Sequence, residues 1–244
     1  MKLSSSELKS FIYGTLLGDA KIERNGKVFS IKQINKDLID FKYSILKEHF
    51  QDVEYKIIPA HFDGKWNHQE LYEVRVKDEY FKKLFNVFYD LIDDGKHVVK
   101  VIRNISILQQ LTPIGLAMWF ADDGTTALIG KTSGKVKDRR VEICTENFTW
   151  HECEIIKKYF KLFLKYEVSL IRRNSSDRCR VRIKILDAQC FLKDISIYII
   201  SYFPSMLYKL DMGYNIDSQS KLLTKDYKLL LEEVKRHSLY ISRV

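Results

Sequence analysis

Two apolar runs in this chain end in carboxylates. "FIYGTLLGDA", residues 11–20, ends on Asp19, and "GLAMWFADDG", residues 115–124, ends on the adjacent pair Asp122 and Asp123. Acids are out of place there, because the C-terminal end of a helix is the negative end of its dipole. Two such ends brought together would repel, and a divalent cation between them would resolve the repulsion. Hard oxygen ligands suit Mg2+ (or Mn2+), which takes one or two protein carboxylates and completes its shell with water and substrate phosphate. A metal so held can activate water and stabilise a leaving oxygen in phosphodiester cleavage.

The acids need helices that pack closely. Gly14 and Gly18 are spaced i, i+4, as are Ala117 and Ala121. Small residues at that spacing let two backbones approach. Glycine within a helix costs ~1 kcal/mol against alanine, so the glycines imply a packing reason. The acids also set a register of 104 residues (123 − 19). That is too long for a solenoid unit and right for a duplicated small domain.

The rest of the pattern agrees with a duplication. Ser4 and Glu7 have capping-box spacing ahead of a helix over 5–18. A strand is predicted over 27–34, a helix over 35–50, and strands over 53–60 and 70–77. A helix over 79–92 carries Phe81, Leu84, Phe85 and Phe88 on one face. In the second half Thr112 is a good N-cap, Pro113 suits the first turn, and a helix runs to Ala121. A strand over 139–145, a helix over 149–166, strands over 168–173 and 179–185, and a helix over 186–202 follow. A basic helix over 219–238 closes the chain. The order is αββαββα twice: an α+β fold, pseudo-symmetric, with halves at 1–104 and 105–244.

Forty-one basic residues outnumber 32 acidic ones, a net charge of +9. An excess of that size points to a polyanion, and nucleic acid is the usual one. The four cysteines have no CxxC spacing and read as reduced thiols of an intracellular protein. His61 and His68 flank a short loop, where histidines are mostly bystanders. No run of ~18 uncharged apolar residues predicts a membrane span. The start "MKLSSSELKS" lacks the apolar stretch of a signal peptide.

The predicted strands offer cations on one face. In "CRVRIKI" Val181, Ile183 and Ile185 alternate with Arg180, Arg182 and Lys184. Lys27, Lys32 and nearby Gln33, Arg75 and Lys77, and Arg139, Arg140, Arg172 and Arg173 extend the same idea. A sheet apolar on one face and cationic on the other packs on its helices and presents the cations outward. Such side chains can meet phosphates and base edges in a DNA major groove.

"IYGTLLGDA" and "LTPIGLAMWFADDG" resemble the two signature helices of single-chain LAGLIDADG homing endonucleases. "FTWHECEIIKKYF" and "YFPSMLYKL" resemble second-half segments of that family, and the likeness spans nearly the whole chain. The resemblance implies paired helices at the interface of two αββαββα halves, with Asp19 and Asp123 at the catalytic, metal-binding positions. It implies a DNA-binding saddle of two antiparallel sheets, double-stranded DNA as substrate, and staggered cuts across the minor groove. Lys209 in "MLYKL" matches a basic residue beside one active site, and Lys100 in "KHVVKVIRN" fits the other. Glu146 stands where the family often has glutamine. A monomer is expected. Assistance to intron RNA splicing and non-cleaving DNA regulation are the alternatives.

Overall fold

The computed structural model describes residues 1–62, 67–132, 135–172, 178–211 and 224–241, without the side chains of 67, 127–139 and 238–241. Helix α1 (Ser5–Leu17) starts where Ser4 and Glu7 exchange hydrogen bonds, the expected capping box. Strands β1 (Lys21–Ile22) and β2 (Val28–Gln33) follow. Helix α2 (Lys36–His49) is capped by Asn35. Then come β3 (Val53–Ile58), the small hairpin β4 (His61–Phe62) and β5 (Asn67–His68), and β6 (Leu71–Lys77). Helix α3 (Tyr80–Phe88) leads to a second hairpin, β7 (Tyr89–Ile92) and β8 (His97–Lys100). Beyond the short α4 (Ile105–Leu108) lie α5 (Pro113–Asp123), β9 (Gly124–Thr132), β10 (Lys135–Thr149) and α6 (Trp150–Tyr159). A π-helical turn at Phe160–Leu164 precedes β11 (Val168–Arg172) and β12 (Arg178–Ile183). Helix α7 (Ile185–Tyr202), a 3-10 turn (Pro204–Lys209) and α8 (Lys225–Ile241) complete the described chain.

Two four-stranded antiparallel sheets result, in orders β1-β2-β6-β3 and β9-β10-β12-β11. Each packs its apolar face on helices: Phe29 of β2 stacks on Phe81 of α3, and Val141, Ile143, Val181 and Ile183 are all buried. The pseudo-symmetric α+β architecture expected from the chain is what the structure has.

Helices α1 and α5 lie between the sheets. Residues 10–17 and 114–121 are buried without a break, as expected of helices that are apolar all round. A Cβ on Gly14 would sit 1.9 Å from the Gly115 carbonyl oxygen, and one on Gly18 would sit 2.5 Å from the Asp122 Cβ. Gly14 and Gly18 therefore do permit the close approach. On α5 the matching residue is Gly115; Ala117 and Ala121 are buried beside it. Thr112 precedes α5, but its hydroxyl joins Ser10 across the helix pair and does not cap its own helix.

Several expected boundaries move. The helix over 79–92 ends at Phe88, because Asp93, Asp94 and Gly95 turn the chain back at positive φ. Arg103 seals that helix end, donating to the carbonyls of Asn86 and Val87. The strand over 179–185 stops at Ile183, and Lys184 is the N-cap of α7. Strands β1 and β9 were not expected. His61 and His68 face each other across the small hairpin with rings stacked 4.5 Å apart. The cysteines are free thiols, and among the described residues no helix is long and apolar enough to cross a membrane.

Candidate active site

Asp19 follows the C-cap of α1, and Asp123 is the last residue of α5. Packing α1 on α5 brings both helix ends to one place. The main-chain N–H of Asp19 donates to Asp122 Oδ2 at 3.2 Å. Gln33, at the end of β2, donates its amide to Asp19 Oδ2 at 2.5 Å and to Asp122 Oδ1 at 2.9 Å. Lys42 of α2 donates to Asp122 Oδ1 at 2.5 Å, and both side chains are fully buried.

The two adjacent acids thus differ. Asp122 accepts from three protein donors. Burial pushes its carboxyl up, against the pull of Lys42. Asp123 is half-buried. Desolvation first, then the charges of Asp19 and Asp122, push its pKa up to about 7, with Lys100 and Lys209 pulling it down. Like charges crowded together raise a carboxyl in this way.

Each predicted lysine sits on the end of a signature helix. Lys100 Nζ, at the end of β8, donates to the carbonyls of Gly18 (2.8 Å) and Ala20 (3.1 Å). Lys209 Nζ, closing the 3-10 turn, donates to those of Ala121 (2.6 Å) and Phe120 (3.4 Å). Burial pushes both ammonium groups down, and the field of Asp19, Asp122 and Asp123 draws them back up. An ammonium has three protons, so each lysine keeps one beyond these two bonds. Arg103 is spent on α3 and is not part of the site.

Asp19 and Asp123 fit a hard divalent cation. Among the described residues no group of three or more His, Cys, Asp or Glu is placed to hold a metal ion. Two carboxylates are the share that Mg2+ usually takes from protein when a phosphate supplies the rest.

The strand cations divide. On the outer face of the first sheet, Lys32 and Arg75 surround Glu73, at 3.7 and 3.8 Å. Arg75 also meets Glu23 at 2.6 Å, Lys77 is exposed, and Lys27 pairs with Glu79. On the second sheet Arg182 is held by Glu142 at 2.7 Å, Arg180 by Glu146 at 2.7 Å, and Arg140 is half-buried. Three expectations are corrected. Gln33 is on the helix-facing side with Phe29 and Ile31, so it serves the acids and not an outer face. Arg172 shares the face of buried Val168 and lies 5.0 Å over the Trp150 ring. Lys184 has left the strand and stands 3.8 Å from Glu167. Arg173 and the Arg139 side chain lie outside the described residues.

Sequence reasoning missed Lys42. A signal existed: Lys42 falls on the apolar stripe of α2, between Leu38 and Ile45, where a cation needs a buried partner.

Comparison with known proteins points to one family. The model of the LAGLIDADG DNA endonuclease family matches residues 9–191. The chain is 24% identical over 225 residues to DNA endonuclease I-ChuI of Chlamydomonas applanata, covering 86% of this chain and 96% of that one. It is 26% identical over 205 residues to the probable intron-encoded endonuclease 1 of Wickerhamomyces canadensis, covering 82% and 81%. The fold resembles that of the homing endonuclease I-WcaI bound to its DNA recognition sequence, with TM-score 0.66, 21% identity and coverage of 88% and 89%.

Proposed function

The chain belongs to the LAGLIDADG DNA endonuclease family, and from that premise we propose that it is a homing endonuclease cutting both strands of a long DNA site. It acts as a monomer of two halves, 1–104 and 105–244, and leaves staggered ends across the minor groove. The observation that carries this reading is the convergence of Asp19 and Asp123 with Lys100 and Lys209 at the ends of two packed helices.

Asp19 and Asp123 would hold Mg2+ or Mn2+, which neutralises phosphate charge and lowers the pKa of an attacking water. The chain's own groups do the rest. Asp19 comes from the end of α1 and Asp123 from the end of α5. Gln33 fixes the Asp19 carboxylate through its amide. The remaining proton of Lys100 and of Lys209 stabilises charge developing on the phosphate oxygens. The outward cations Lys32, Arg75, Lys77, Arg140, Arg180 and Arg182 meet the phosphates and bases of the major groove.

The test is a cleavage selection. The protein is incubated with Mg2+ and a randomised duplex library, the ends are sequenced, and Asp19→Asn and Asp123→Asn run in parallel. Discrete staggered cuts that vanish in both variants are expected. Tight binding without cuts, unchanged by either substitution, would instead indicate a non-cleaving DNA regulator or a partner of intron RNA.

A further inference from the structure

We infer that Lys42 and Asp122 are a positioning pair that sets the Asp19 carboxylate from across the boundary between the halves. The inference rests on the nuclease reading and adds two residues to it that touch neither DNA nor metal.

Asp122 belongs to α5, and all three of its donors come from the amino-terminal half: Lys42 Nζ, Gln33 Nε2 and the main-chain N–H of Asp19. Both oxygens of Asp122 are engaged inside the protein. It holds the main chain at Asp19 on one side. On the other it holds the amide that reaches Asp19 Oδ2. Lys42 in turn fixes Asp122, and α2 fixes Lys42.

Among the described residues the arrangement occurs once. In the 104-residue register Gly18 stands where Asp122 does, and its missing side chain makes the space Asp122 fills. Counted from the helix caps Asn35 and Thr149, Ile156 stands where Lys42 does, fully buried. Counted through β1 and β9, Thr145 stands where Gln33 does, and it donates to the Cys179 carbonyl. The described contacts give Asp123 no matching support, so the pair acts on one of the two cuts more than on the other.

The experiment uses the full chain and a selected target with the two strands labelled differently. Asp122→Asn alone strands the Lys42 ammonium in the core, so the main variant removes both charges: Lys42→Met with Asp122→Asn. It is expected to fold and to bind the target within about threefold of wild type, so that a loss appears in rate and not in affinity. The strand cuts should slow unequally, the more affected by at least about tenfold, as a misplaced reacting group does. Nicked duplex then accumulates. Mn2+ affinity of the protein–DNA complex, read from free Mn2+ by electron paramagnetic resonance, should fall as well. Equal slowing of both strands, or unchanged rates and Mn2+ affinity, would overturn the positioning role. A wild-type protein that makes no cuts refutes the nuclease reading instead, and an Asp19→Asn variant that still cuts refutes the role of Asp19. Mn2+ affinity still decides the pair in that case.

Discussion

Asp123 is desolvated by burial and crowded by Asp19 and Asp122, and this has a consequence in the absence of metal. Its carboxyl is raised from the ordinary value of 3.8 to about 7. Between those values the folded state holds a proton that the unfolded chain has released. Metal-free stability therefore falls as pH rises through that window, by roughly 4 kcal/mol in total. Urea unfolding in chelator at pH 5 and pH 8 measures it. Asp123→Asn should remove most of the fall, and an unchanged slope in that variant would refute the assignment. The lysines make a second prediction. Lys209→Met or Lys100→Met should slow single-turnover cleavage by about 10- to 100-fold with DNA affinity nearly intact, because each acts on charge that develops in the reaction. At this scale the sequence was legible where chemistry broke a local pattern. Asp19 and Asp123 end apolar runs, and that oddity is visible without a structure. Gln33 was read as facing out because it neighbours Lys32, although it shares a face with Ile31. Lys42 was passed over because its partner is 80 residues away.

Among the elements, the α1–α5 contact is the least tolerant. Gly14→Ala gains helix propensity of ~1 kcal/mol. Its new Cβ would meet the Gly115 carbonyl at 1.9 Å, and a backbone cannot yield as a side chain can. Overpacking of this kind costs about 1–3 kcal/mol or more. The net effect is destabilisation, read as a Tm lowered by several degrees, and a variant as stable as wild type would contradict the packing. The helices were legible because their apolar periodicity is strong and their caps are spelled out, as at Ser4 and Glu7. Strand β9 was not, because it starts at Gly124, directly on the last turn of α5, with no loop to mark it. Arg172 is exposed but lies on the helix-facing side of its strand. The strand's parity is set by Val168, and a guanidinium on the inner face finds an aromatic ring to cover.

For the whole molecule, the +9 charge divides between cations that add charge and cations held in place. Lys77 is exposed, whereas Arg182 is fixed by Glu142. Lys77→Ala should weaken binding to all sequences alike and lower the salt slope by about one. Arg182→Ala should relax preference at one base position, worth about 1–3 kcal/mol. Binding measured across salt and across target variants separates the two, and a reversed pattern would reject this division of the surface. The duplicated architecture was legible from two acids in one register. The charge pattern across its outer sheet faces was not, since Glu73 and Glu142 take their cationic partners only once the strands pair.

The single occurrence of Lys42, Gln33 and Asp122 makes the duplication a one-way step. Two copies of the first half would set Gly18 against Gly18 and leave each Lys42 without an acid. Two copies of the second would set Asp122 against Asp122. Neither half is expected to pair with a second copy of itself. Cut into two polypeptides, the molecule should reassemble only as a mixed pair, each half having become the other's obligate complement.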